Sequence, residues 1–258
     1  MDSSFSEKFS QFIPGISLDC VVFGYQDRTL HVLLLKYKGV DGWALPGGFL
    51  PEYQEMDAVA AEVLQQRTEV TDVFLEQFYT FSALNRGWDG NELSRSTFQA
   101  VLSQLSAEES KAFKEWFGQR FVSTAYLSMV DVQKVQPLPD FLSDKCTWKP
   151  VTALPPLVLD HEQMVQKALH HLRVQLNYLP IGRSLLPEKF TMGELQSLYE
   201  AIIGKALDRG NFQRKMLKLK ILKRHEKWMT GAPNKAPYLY SIDNEAYDKL
   251  LKNGMGFI

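Results

Sequence analysis

The stretch Leu45–Val70, LPGGFLPEYQEMDAVAAEVLQQRTEV, constrains the fold more than any other part of this chain. A proline and a glycine pair open it. Apolar residues then recur at a period near 3.6, through Ala58, Val59, Ala61, Val63 and Leu64, which predicts a helix. Ahead of it, residues 17–25 (SLDCVVFGY) and 30–37 (LHVLLLKY) read as strands joined by a turn around Gln26-Asp27-Arg28. Val32-Leu33-Leu34-Leu35 is apolar on both faces, the pattern of a central buried strand. A strand, glycine loop and helix in this order often build a phosphate or metal site. What this one can do depends on the polar groups it carries.

Further strands are expected at 73–81 (VFLEQFYTF) and 121–130 (FVSTAYLSMV). Residues 85–120 interrupt the strand pattern. There Ser106 and Glu109 form a capping box, followed by the apolar stripe Ala112, Phe113, Trp116 and Phe117. Trp148 begins a short irregular segment. Asp160 then reads as the N-cap of a helix to about Asn177, with Met164, Val165, Ala168, Leu169, Leu172 and Leu176 on its buried face. The segment 178–189 holds two prolines and a glycine, and the charge balance changes beyond it. These features divide the chain into 1–178 and 179–258.

The second part opens with a capping box, Thr191 and Glu194, on a helix carrying Leu195, Leu198, Tyr199, Ile202 and Ile203 and ended by Gly204. Asp208 caps the next helix, where Phe212, Met216 and Leu219 turn inward and basic residues are left outside. A turn with Gly231 and Pro233 leads to a strand at Tyr238-Leu239-Tyr240. Helix, turn, basic helix and hairpin is the order of a winged helix-turn-helix.

Charge supports that reading. The net charge is -1, yet residues 205–235 hold ten Lys and Arg against Asp208 and Glu226, leaving +8 there and -9 elsewhere. Such segregation points to a polyanionic partner. Arg209, Asn211, Gln213 and Arg214 occupy the turns that reach base edges, while Lys215, Lys218, Lys220 and Lys235 suit phosphates. The expected partner is double-stranded operator DNA, bound by a homodimer on a pseudo-palindrome. No run approaches the roughly 20 apolar residues of a membrane helix, the first residues do not form a signal peptide, and a cytoplasmic protein is expected. Cys20 and Cys146 have no metal-ligand spacing. His161 reads as a helix-start residue, and His170 and His171 as structural.

Leu45–Val70 resembles the Nudix box, G-x5-E-x7-R-E-U-x-E-E-x-G-U with U aliphatic. Counting from Gly48, the acidic positions fall on Gln54, Val63, Gln66 and Arg67, the arginine on Glu62 and the second glycine on Glu69; Leu64 and Val70 keep the aliphatic positions. In Nudix hydrolases carboxylates at i, i+3 and i+4 share one helix face and hold Mg²⁺; here those positions carry Val63, Gln66 and Arg67. Taken with LPEKFTMGELQSLYEAIIGKALDRGNFQRKML and GAPNKAPYLY, the chain resembles the Nudix-related transcriptional regulators, which include repressors that sense ADP-ribose and regulators of arabinose use.

The resemblance implies an α+β protein: an N-terminal Nudix-like α/β/α sandwich with a mixed sheet, then a C-terminal winged helix-turn-helix. Residues 87–118 are an insertion relative to the family pattern. The first domain would be a catalytically inactive sensor of a small metabolite, a pentose such as arabinose or ADP-ribose, with no cofactor and no metal. Lys36, Trp43, Gly47, Gly48, Phe49, Arg67, Arg86 and Arg120 would line its pocket. The alternative is a Mg²⁺-dependent hydrolase of nucleoside diphosphate derivatives, which would need a metal site outside the box.

Overall fold

The computed structural model describes residues 9–71, 74–140, 142–176, 185–229 and 236–253. The hairpin of β1 (Phe12–Gln26) and β2 (Thr29–Tyr37) starts the main sheet. Asp27 and Arg28, at φ 50° and 60°, make its two-residue turn left-handed at both positions. That geometry matches the twist of the flanking strands. Next come β3 (Trp43–Ala44), β4 (Gly47–Pro51), α1 (Met56–Thr68) and β5 (Phe74–Phe81). The interrupting segment supplies α2 (Glu92–Leu102) and α3 (Ala107–Phe117), and β6 (Val122–Val130), β7 (Ser143–Pro150) and α4 (His161–Gln175) complete this part.

Among the described residues the sheet has seven strands, ordered β3-β2-β1-β6-β5, with β4 also paired to β1 and β7 to β2. β1 and β6 run parallel from Ile16↔Val122 to Gly24↔Val130, and the other pairings are antiparallel. Alternation along the strands sends Leu18, Cys20, Val22 and Leu33 toward α1, and Val21, Phe23, Val32 and Leu34 toward α4. Helices cover both faces, giving the expected α/β/α sandwich. Three details differ from the sequence reading. The glycine pair, read as a loop, lies in strand β4 and pairs with Leu18 and Asp19 of β1. The buried face of α1 is Val59, Ala60, Val63, Leu64 and Thr68, while Ala58 and Ala61 are exposed. The segment around Trp148 is a strand, β7, paired along β2 from His31↔Pro150 to Tyr37↔Ser143.

The C-terminal unit contains β8 (Phe190–Thr191), α5 (Met192–Ile203), α6 (Arg209–Lys218), β9 (Leu222–Lys227), β10 (Tyr238–Ile242) and α7 (Asn244–Asn253). Its three strands run β8-β10-β9, completing a winged helix. The expected Thr191–Glu194 capping box is present, Gly204 ends α5 at φ 79°, and the Asp208 carboxylate accepts from the Asn211 amide at 2.8 Å. Phe190, Leu198, Tyr199, Ile202 and Phe212 join the same buried cluster as Val21, Phe23, Met164 and Leu172. The apolar core therefore continues from the α4 face of the sandwich into the winged helix. At that junction Arg173 Nε donates to the Ile202 carbonyl at 2.7 Å, satisfying one of the free acceptors at the end of α5. The expected division at 178/179 and the tip of the wing lie outside the described residues.

Candidate functional site

A cleft of about 930 Å³, counting its open mouth, lies where β1, β4 and the start of α4 converge. Glycine is required at position 47. A Cβ there would sit 2.5 Å from Asp19 Oδ1 and 2.7 Å from the Leu18 carbonyl, so β4 approaches β1 closely only because the side chain is absent. At Gly48 a Cβ would stand 3.0 Å from Val63 Cγ2, which ties the glycine pair to the α1 face.

The floor of the cleft is a buried polar cluster. Arg86 Nη2 lies 3.1 Å from Asp19 Oδ2, and Arg86 Nε lies 2.9 Å from Asp160 Oδ2, with the arginine side chain only 4% exposed. Ser123 Oγ donates to Asp19 Oδ2 at 2.6 Å. The Leu45 amide donates to His161 Nδ1 at 3.0 Å. That bond makes Nδ1 the acceptor and leaves the proton on Nε2. Nε2 stands 3.5 Å from Asp19 Oδ1, is buried and has no hydrogen-bond partner. Burial lowers the imidazole pKa below its usual 6.5, Asp19 and Asp160 oppose that shift, and Arg86 adds to it. With histidine neutral, two carboxylates and one guanidinium leave the cluster at -1. Asp160 is the N-terminal boundary of α4, as expected, yet its side chain makes no capping bond because Arg86 takes it instead.

The roof comes from the interrupting segment. Trp88 and Phe117 line the cleft, together with Phe121 just beyond that segment and Phe49 from β4. Behind them Phe113 contacts Phe117 at 4.1 Å between ring centroids, and Trp116 stacks on Phe9 at 5.2 Å. The Ser106–Glu109 capping box is formed. An adjoining outer recess shares Arg86, Gly87 and Trp88 with the cleft and adds Asn85 and Arg120.

Of the eight residues expected around the pocket, Gly47, Gly48, Phe49 and Arg86 line the cleft. Arg120 lies in the outer recess, where its Nη2 donates to the Ser82 carbonyl at 2.7 Å. Three lie elsewhere. Trp43 packs in the cluster on the α4 side of the sheet, beneath Lys149 Nζ at 4.5 Å. Lys36 stands on that same side, 5.9 Å from the Trp43 ring, and pairs with exposed Asp41 at 3.2 Å. Arg67 donates to the Pro139 carbonyl at 3.2 Å. Sequence reading missed Asp19, Trp88 and Asp160 as cleft or cluster residues and gave His161 only a helix-start role. In α1 itself Val63 is buried, Gln66 is exposed, and Gln54 donates to Glu62 at 3.2 Å. Among the described residues no group of three or more His, Cys, Asp and Glu comes together as a metal site would need.

The second surface is α6. Arg209, Asn211, Arg214, Lys215, Lys218 and Lys220 are exposed and Gln213 is half-buried, while Phe212 packs on Tyr199 at 5.2 Å. Arg214 donates to Asn211. Lys235 is outside the described residues. On the wing strands Arg224 and Lys227 lie over the Tyr238 ring at 4.7 and 5.4 Å. Trp228 follows, 48% exposed.

Residues 182–242 match the family model described as the NrtR DNA-binding winged helix domain. Over 245 residues the chain is 26% identical to the ADPR responsive transcriptional repressor NtrR of Acinetobacter baylyi, covering 91% of this chain and 84% of that protein. The chain thus carries a winged helix that matches this DNA-binding type and is similar over most of its length to a transcriptional repressor. Its fold agrees with the crystal structure of Shewanella oneidensis NrtR, at 24% identity and a TM-score of 0.66 over 91% of this chain and 96% of that one. The same Shewanella protein complexed with a 27mer DNA gives 0.67 at 24% identity, over 90% and 95%. A MutT/nudix family protein from Enterococcus faecalis gives 0.62 at 18% identity, over 89% and 86%. The chain thus joins a Nudix-like fold to a winged helix. No helix among its described residues is long and apolar enough to cross a membrane.

Proposed function

We propose that the protein is a bacterial repressor that binds operator DNA through α6 and the wing, and that ADP-ribose, bound in the Nudix-like part, changes its affinity for that DNA. The observation that carries this reading is the continuity of one apolar core from the cleft-bearing sandwich into the winged helix. α4 starts at the floor of the cleft with His161, and Arg173 near its other end holds the carbonyl of Ile202 in α5. A ligand that favours one placement of α4 thereby favours one placement of the helix pair carrying α6. Such a ligand shifts the DNA equilibrium by its difference in affinity for the two states. The name of the Acinetobacter relative supports ADP-ribose as effector and lends nothing to arabinose.

The sensing part corresponds to 1–178, with 87–118 as an insertion over the cleft, and the DNA-binding part to 179–258. Arg209, Asn211, Gln213 and Arg214 read bases, and Lys215, Lys218, Lys220 and Lys235 hold phosphates. The protein acts in the cytoplasm as a homodimer and does not hydrolyse its effector. The test is fluorescence anisotropy with duplex DNA from the region upstream of the protein's own coding sequence, with ADP-ribose or arabinose added. Salt-dependent binding that ADP-ribose alters and arabinose leaves unchanged is expected. Binding indifferent to ADP-ribose, or robust Mg²⁺-dependent turnover of ADP-ribose, would overturn the reading.

A further inference from the structure

We propose that the strands of the wing form a phosphate clamp, in which Arg224 and Lys227, both set on the ring of Tyr238, hold the sugar–phosphate backbone of duplex DNA. The proposal deepens the preceding reading and rests on its DNA-binding half alone. Its first support is a β-bulge. Tyr238 pairs with Lys227 and Tyr240 with Arg224, so two steps along β10 match three along β9. In a regular strand residues three apart point to opposite faces. The extra residue of the bulge turns Arg224 and Lys227 to one face. The Arg224 guanidinium and Lys227 Nζ accordingly lie 4.7 and 5.4 Å from the centroid of the same ring, Tyr238.

The second support is how the charges around the hairpin are used. Lys189 pairs with Glu226 at 3.0 Å and Lys223 with Asp243 at 3.1 Å, so these two cations are already neutralised. Arg224 and Lys227 are exposed, and no carboxylate of the described residues pairs with either. What holds them is a neutral ring. Its face attracts each cation and does nothing to reduce the repulsion between the two. An anion set against the pair relieves that repulsion, and the guanidinium presents a fork of N–H donors that matches phosphate oxygens. The ring is 38% exposed, so it braces the pair without closing it off from solvent. Only residues 219–221 separate β9 from α6, which places the clamp beside the basic helix in the chain. A contact to phosphates carries no sequence information, so the clamp sets affinity and orientation while α6 reads bases.

The experiment is fluorescence anisotropy with the full chain over a salt series, using the upstream duplex and a duplex of scrambled sequence. Arg224→Ala and Lys227→Ala should each lower the slope of log affinity against log salt by about one, and should weaken both duplexes alike. Tyr238→Leu keeps every charge and should weaken both by about two- to fivefold. Tyr238→Phe keeps the ring and should bind as the unaltered chain does. Potassium phosphate and potassium chloride at equal ionic strength should displace the duplex equally. Preferential displacement by phosphate, lost in Arg224→Ala, would make this a small-anion site and overturn the assignment to DNA. An unchanged slope in both alanine variants, a loss confined to the upstream duplex, or a fall in Tyr238→Phe as large as in Tyr238→Leu would overturn it as well. If Arg214→Ala weakens the upstream duplex while the wing variants do not, this proposal fails and the reading of α6 stands. Absence of salt-dependent binding by the unaltered chain sinks both.

Discussion

Replacing Arg86 with methionine tests the construction of the cleft floor directly. The side chain keeps most of its length and loses its charge. Asp160 Oδ1 already lacks a hydrogen-bond partner, and Asp160 Oδ2 is bonded to Arg86, so the substitution leaves this carboxylate without its cation. Asp19 keeps the hydroxyl of Ser123 and loses its cation as well. Removing one partner of a buried ion pair costs roughly 3–5 kcal/mol because the other charge stays behind. For a chain of this size, each kcal/mol moves the melting temperature by about 2–4 °C, so a fall of about 6–20 °C is expected. Urea unfolding followed by tryptophan fluorescence and far-UV dichroism measures the same loss as a free energy. Adding Asp160→Asn to Arg86→Met should recover part of it, since the orphaned charge is then gone; two neighbouring substitutions coupled in this way are not additive. A loss below about 1 kcal/mol for Arg86→Met, or no recovery in the double variant, would refute the view that Arg86 is held in a buried charge cluster.

Three further outcomes are expected. The folded protein holds His161 neutral, with its pKa below the ordinary 6.5. Its contribution to stability is therefore complete above about pH 6.5 and is lost as the pH falls from there through the folded value. The melting-temperature difference between pH 7.5 and 5.5 should shrink in His161→Gln, a window lying above the titration of Glu200, Glu226 and Asp243, which are held below ordinary carboxylate values chiefly by backbone amides. Arg214→Ala should weaken binding to the upstream duplex by about 1–3 kcal/mol, whereas Lys218→Ala should lower the salt dependence by about one unit in slope; both are read from anisotropy over a salt series. Phe212→Ala empties the contact with Tyr199 and should cost about 3–5 kcal/mol in thermal or urea unfolding.

The fold was most legible where a local rule and a global role coincide. Capping boxes at Ser106 and Thr191 require only residues three apart, and both form. Val32 to Leu35 announced a strand covered on both sides, and Leu33 faces α1 while Val32 and Leu34 face α4. Legibility fell where tertiary pairing does the work. Ser143–Pro150 mixes polar, charged and apolar residues with little strand character of its own, yet it pairs along β2 because that strand offers it a backbone edge. Ala58, Ala60 and Ala61 are alike in sequence, and small side chains give weak directional signal, so the turn of α1 about its axis was read slightly wrong.

The same physics explains the misplaced pocket residues. Lys36 pairs in register with Trp43, and Leu35 with Ala44. Because side chains alternate across a sheet, members of one pair share a face and those of the next share the other. Leu35 and Ala44 line the cleft, so Lys36 and Trp43 must point away from it, and a choice one residue out moved both. The cluster of Asp19, Arg86 and Asp160 was hidden differently, since its ion pairs span 67 and 74 residues of chain. One signal was nevertheless present. Asp19 stands in SLDCVVFGY, where Leu18 and Cys20 to Phe23 are all fully buried. Burying a carboxylate without a partner is costly, so its sequence position already pointed to a polar or cationic partner brought from elsewhere in the chain. Arg86, in a turn that follows the aromatic strand β5, is the residue that supplies it. The lost carboxylates of the box identify what α1 has ceased to offer, whereas a single charged residue inside an apolar strand identifies where the polar floor of the cleft has to be.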